Sequence, residues 1–130
     1  MLLDASQPGI AMSFTNSMNL RDWRGFKSLV FDARFSGSGQ KYVVKIREDV
    51  ENFDQTIVDD VRGWHTVTIP FSSFQRAQWQ PTGAPDDGLN LTNVERLMLL
   101  TTSGNSVLSI DNVSISDATT GGDISKVPLR

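Results

Sequence analysis

The residues of this 130-residue chain with the most chemistry to offer are three tryptophans and the polar side chains spaced around them. Trp79 lies in Gln75-Arg76-Ala77-Gln78-Trp79-Gln80-Pro81, a polar stretch outside any alternating pattern. A flat indole flanked by carboxamides suits a ligand with an apolar face of C–H bonds and a rim of hydroxyls, which describes a sugar ring. The indole buries area at little conformational-entropy cost, and Gln78 and Gln80 supply donors and acceptors for the hydroxyls. The competing reading is that the Trp79 ring caps the edge of the core.

Trp64 precedes His65-Thr66-Val67-Thr68-Ile69. Successive strand side chains point to opposite faces, so Trp64 shares a face with Thr66 and Thr68, opposite Val67 and Ile69. That places Trp64 on the outer surface of a sheet, where it either stacks on ligand or packs. Trp23, just before Gly25-Phe26, stands at the approach to a strand; stacking and a structural role are both open for it. A polar rim is expected from the outward positions Asp32, Arg34, Lys45, Arg47, Asp54 and Thr66, with Arg34 and Arg47 foremost. Guanidinium and carboxylate groups match vicinal hydroxyls, although outward charges on strands also simply pair or stay solvated.

The elements that must position these residues are strands. Leu29, Phe31, Ala33 and Phe35 alternate with Val30, Asp32 and Arg34, and Tyr42, Val44 and Ile46 alternate with Val43, Lys45 and Arg47. Phe53, Gln55 and Ile57 continue the period of two, which favours core packing for Tyr42. Leu97-Met98-Leu99-Leu100 reads as a strand buried on both faces. Val107–Ile115 closes the pattern, with a slip in register expected near Asp111-Asn112, and an early strand is expected within residues 10–15. Glycine-rich and Asp/Asn-rich turns separate the runs, and no amphipathic helix of normal length occurs; residues 72–78 could make one helical turn. Strands at short intervals predict an all-β, two-sheet antiparallel sandwich over residues 1–118. Residues 119–130, with Gly121-Gly122, read as a flexible tail or the start of a linker.

Bulk properties narrow the partners. The net charge of −3 argues against nucleic acid and anionic membrane, and no apolar stretch is long enough to span a bilayer. With no cysteine, disulfide and thiolate chemistry are excluded. Residues 1–4 lack the basic and apolar regions of a signal peptide, as expected of a piece of a larger protein. A glycosidase needs two carboxylates across a cleft. The chain's glutamates are Glu48, Glu51 and Glu95, which read as solvated strand-end or turn residues, and no aspartate pair stands out by spacing. His65, the one histidine, falls on the core side with Val67 and reads as a packed, hydrogen-bonded ring. These features favour a non-catalytic domain. A protein-interaction or assembly domain on the same fold is the alternative, and a small glycosidase is the weaker one.

The order of Asn19–Phe31, Gly63-Trp64-His65-Thr66-Val67-Thr68-Ile69-Pro70-Phe71, Leu91–Leu97 and Ile110-Asp111-Asn112-Val113 resembles the galactose-binding-like jelly rolls. It is most similar to carbohydrate-binding modules related to families 11 and 30, which accompany β-glucanases. The resemblance implies a jelly roll that binds β-glucan of cellulose-type, mixed-linkage or xyloglucan chemistry. It also implies a covalently linked glycoside hydrolase and a secreted, extracellular setting. It further implies a structural calcium near the chain ends, with Asp111 and Asp4 as the matching acidic residues.

Overall fold

The computed structural model describes residues 3–5, 11–13, 22–36, 41–101, 107–117 and 126–128; for 3–5, 11–13, 36 and 126–128 it describes the backbone alone. Ten strands occur among them: β1 (Leu3–Ala5), β2 (Ala11–Ser13), β3 (Ser28–Ser36), β4 (Lys41–Glu48), β5 (Glu51–Val58), β6 (His65–Pro70), β7 (Gln75–Arg76), β8 (Val94–Thr101), β9 (Val107–Ser116) and β10 (Lys126–Pro128). They form two antiparallel sheets. The first runs β1-β9-β3-β6, with β10 also on β9, and the second runs β2-β8-β4-β5-β7. This is the expected all-β jelly-roll sandwich. The turn expected at residues 72–78 is a 3-10 turn at Phe71–Ser73 followed by β7.

The core lies between the sheets and is built from one face of each strand. Leu29, Phe31, Ala33 and Phe35 of β3 and Leu108, Ile110, Val113 and Ile115 of β9 meet Tyr42, Val44 and Ile46 of β4 and Leu97 and Leu99 of β8. Fully burying each of the leucine, isoleucine, valine and phenylalanine side chains stabilises the fold by roughly 1.5–3 kcal/mol before the chain entropy is subtracted. Met98 and Leu100 are only half-buried, so β8 has one buried face rather than the two expected.

The slip expected in β9 is present. Val30 pairs with Ser114 but Asp32 pairs with Asp111, leaving an extra residue on β9. Asn112 takes up the extra length at φ 53°, a left-handed conformation that asparagine tolerates. The bulge lets Ile110 and Val113, three positions apart, both face inward. One sequence expectation is corrected here. Within the presumed tail 119–130, Lys126–Pro128 forms an antiparallel strand with Ser114–Ser116 of β9.

Candidate functional site

Register places the outward residues of the second sheet in transverse rows. Arg96, Arg47 and Asn52 form one row across β8, β4 and β5; Met98, Lys45 and Asp54 form the next; Leu100, Val43 and Thr56 form a third. Adjacent strands lie about 4.8 Å apart, so the rows make one continuous surface that mixes apolar groups with three cationic side chains and the Asp54 carboxylate. Arg47 reaches Glu95 at 3.8 Å, which holds its guanidinium at the Asn52 end of this face.

Trp79 is attached at that end. β7 pairs with β5 through Phe53 and Asp54, and the Ala77 N–H then donates to the Asn52 carbonyl at 2.9 Å. Gln80 completes the attachment. Its Oε1 accepts the Asn52 N–H at 2.8 Å, and its Nε2 donates to the Asn52 carbonyl at 2.7 Å and to the Ala77 carbonyl at 2.9 Å. Trp79, between the half-buried Gln80 and the exposed Gln78, is left 72 % exposed. An indole this open, on a segment pinned at both ends, has a ring face available to a partner and little conformational freedom left to lose. The competing core-cap reading of Trp79 does not hold. Gln80 is committed to the backbone, so of the two glutamines only Gln78 faces solvent.

A second cluster lies on the outer face of the first sheet. Trp64 is 45 % exposed, and the Arg34 guanidinium carbon rests 5.2 Å from its ring centroid. Asp32, Trp64, His65, Thr66 and Asp111 line a hollow of about 330 Å³. Asp32 is fixed from two sides: Thr66 Oγ1 donates to Oδ1 and Asn112 Nδ2 donates to Oδ2, both at 2.8 Å. Asp111 accepts the Asn112 N–H at 2.8 Å. The β9 bulge is therefore what aims Asn112 at this cluster, a contribution that residue type and alternation did not reveal.

His65 closes one wall of the hollow. Its Nδ1 meets the Gly63 carbonyl at 2.9 Å and its Nε2 meets Asp59 Oδ2 at 2.8 Å. Both partners are acceptors, so both bonds form only when the ring carries two protons. Partial burial pulls the His65 pKa down, but the Gly63 carbonyl and the Asp59 carboxylate outweigh it and the net shift is upward. Asp59 is itself buried and also accepts from the Tyr42 hydroxyl at 3.3 Å. Burial, reinforced by Asp59, pushes the Tyr42 phenol up and keeps it protonated.

Trp23 is a correction. It is 0 % exposed and packs on Phe71 with ring centroids 5.6 Å apart, so it belongs to the core and offers no face to a ligand. The local cause is a turn: the Phe26 N–H donates to the Trp23 carbonyl while Gly25 adopts φ 89°, which reverses the chain and turns the indole inward. The W-x-G-F spacing was the available signal.

The glutamates are a second correction. Glu48 and Glu51 are buried rather than solvated. Glu48 accepts the N–H groups of Asn90 and Asn93, Glu51 accepts Arg76 Nε at 2.6 Å, and Glu95 accepts the Val50 N–H. Glu48 and Glu95 anchor a loop and a turn, and Glu51 anchors β7. Among the described residues no group of three or more acidic or histidine side chains gathers to hold a metal ion. Asp111 contributes to the hollow beside Asp32, and for Asp4 the backbone register with Ser109 is what is described. A further cleft of about 500 Å³, walled by Phe26, Phe71, Phe74, Leu89 and Leu91 with Lys27 and Ser72, is mainly apolar.

A jelly-roll sandwich with exposed indoles set among planar polar side chains is the frame of a sugar-binding domain. The family model "Carbohydrate binding domain (family 11)" matches residues 6–118, and the chain belongs to this family. No curated protein matches it. Solved structures share the fold, two of them family 11 modules. One is a family 11 carbohydrate-binding module from Clostridium thermocellum in complex with a beta-1,3-1,4-mixed-linked tetrasaccharide; identity is 21 %, coverage 88 % of this chain and 87 % of that one, and the TM-score 0.64. The other is the family 11 module of the cellulosomal cellulase Lic26A-Cel5E of Clostridium thermocellum, with 20 % identity, coverage of 88 % and 86 %, and a TM-score of 0.63.

Proposed function

We propose that this chain is a non-catalytic module that binds β-glucan on the outer face of the second sheet, with Trp79 as its stacking platform. Mixed-linkage β-1,3-1,4-glucan is the first choice of ligand, ahead of cellulose-type chains and xyloglucan. The observation that carries the reading is Trp79: an indole 72 % exposed, pinned by Gln80 to the Asn52 peptide, at the head of a row containing Arg47 and Arg96. The flat, open arrangement suits a chain lying along the sheet rather than a chain end held in a pocket. The choice of glucan is supported by the tetrasaccharide bound to the Clostridium thermocellum module of the same fold. A covalently linked glycoside hydrolase and a secreted setting are supported by the cellulase that carries the second relative.

Titration of tryptophan fluorescence and affinity electrophoresis with mixed-linkage β-glucan, xyloglucan and cello-oligosaccharides test this. Retardation by mixed-linkage glucan, lost in Trp79→Ala at unchanged melting temperature, is expected. If none of the three glycans binds, carbohydrate recognition is wrong, and the cleft of Phe26, Phe71 and Phe74 becomes the place to seek a protein partner. Release of reducing sugar would overturn the non-catalytic assignment.

A further inference from the structure

The Trp64 hollow does not belong to the Trp79 face. Trp64 immediately precedes β6 of the first sheet, and the Trp79 segment is attached to β5 of the second. Along the strand direction the two are also separated. The Trp79 segment is tied to Asn52 at one end of β5, whereas His65, next to Trp64, is tied to Asp59 just past the other end. Those ends are roughly 20 Å apart by strand rise, and the sheets add roughly 10 Å between layers. One glucan chain lying on the second sheet does not reach Trp64.

The hollow nevertheless has the parts of a binding site. Its volume of about 330 Å³ sits at the small end of ligand sites, which run from roughly 300 to 1,000 Å³. One wall is an indole. Arg34 rests on that indole and is exposed, and its guanidinium makes no hydrogen bond or ion pair with any described residue. Asp32 is locked in one orientation by Thr66 and Asn112, yet each carboxylate oxygen keeps a lone pair. Asp111 is the Cα partner of Asp32 across β3 and β9. An oriented carboxylate and an apolar ring face lining one small hollow, with the Arg34 guanidinium beside it on the indole, match a single pyranose: acceptors and a nearby donor for vicinal hydroxyls, and a plane for the C–H face. A cationic ligand would meet Arg34, and an anionic one would meet Asp32 and Asp111.

We infer that the Trp64 hollow is a second carbohydrate site, holding one sugar residue on the face of the sandwich opposite the glucan site. The inference rests on the reading that the chain takes carbohydrate. Its consequence is bivalency: weak capture by Trp64 raises retention on a polysaccharide surface without altering affinity for a short oligosaccharide at Trp79.

The three indole N–H signals in a proton–nitrogen correlation spectrum provide the test, with methyl β-glucoside and a mixed-linkage tetrasaccharide as probes. In the Trp79→Ala protein, the Trp64 signal shifts with either probe, and Asp32→Asn or Arg34→Ala weakens that shift by roughly tenfold, as loss of a charged hydrogen-bond partner does. Trp64→Ala, confirmed folded by its melting temperature, binds the tetrasaccharide within about twofold of wild type but elutes earlier from a β-glucan column. If Trp79 responds in wild type while Trp64 stays still in both proteins, the second site does not exist and the proposed function stands. If Trp64 responds and Trp79 does not, the glucan face is misplaced and the second site stands. If neither responds, both fail.

Discussion

The side-chain amide of Gln80 occupies the place of a strand peptide beside Asn52, accepting its N–H at 2.8 Å and donating to its carbonyl at 2.7 Å. β7 is only two residues long, so without this graft the ladder along β5 would end at Ala77. Gln80→Ala leaves the largely buried Asn52 peptide short of partners, at a cost of about 1–3 kcal/mol. It also frees Trp79. The expected outcome is a lower melting temperature together with weaker glucan binding, the latter beyond what the stability loss explains; calorimetric titration of the folded variant checks it. Gln80→Glu keeps the acceptor but sets a carboxylate oxygen against the Asn52 and Ala77 carbonyls, and is expected to destabilise at least as much as Gln80→Ala.

Trp79 and Trp23 should separate cleanly. Trp79→Ala removes an exposed ring and shifts stability by less than about 0.5 kcal/mol. Its cost appears in binding, as the loss of a tryptophan anchor typically worth about 2 kcal/mol or more. Trp23→Ala empties a buried site and costs about 3–5 kcal/mol of stability. Chemical denaturation of both variants beside their glucan affinities provides the comparison.

His65 makes stability depend on pH. Its folded pKa lies above the ordinary value of 6.5, because the Gly63 carbonyl and Asp59 outweigh partial burial. The stabilisation is therefore fully present below the unfolded pKa and fades as pH rises through the folded one. Melting temperature measured across roughly pH 5 to 8 should decline on the alkaline side in wild type, and the decline should be shallower in His65→Gln. Because Asp59 also accepts from Tyr42, Tyr42→Phe should weaken the arrangement without abolishing the pH dependence.

The β4–β5 turn is strained. Asp49 and Val50 both have positive φ, 47° and 74°, as a two-residue hairpin of this type requires, and a β-branched residue there is unfavourable. Glu95 holds the turn by accepting the Val50 N–H at 2.9 Å. Val50→Gly should raise stability by about 1 kcal/mol, measured by denaturant midpoint at unchanged slope.

Much of this protein was legible in one dimension. The period of two in β3, β4 and β5 set which side chains meet in the core, and Asp111-Asn112 marked the bulge, because a strand must slip there for Ile110 and Val113 both to face inward. The polar surroundings of Trp79 marked it as exposed, and alternation placed Trp64 outside, because both signals are local. What only the tertiary structure decided came from contacts distant in sequence. Trp23 left stacking and a structural role both open, until a glycine turn delivered it onto Phe71. Glu48 and Glu51 looked solvated, but backbone N–H groups and an arginine from beyond residue 75 covered them. Gln80 was expected to meet a ligand, but its partner is a peptide 28 residues away. Alternation fixes the face a residue points to, but only the pairing of β3 with β6 and β9 brings Asp32, Trp64 and Asp111 to one hollow, with Arg34 on the indole and Asn112 on the Asp32 carboxylate.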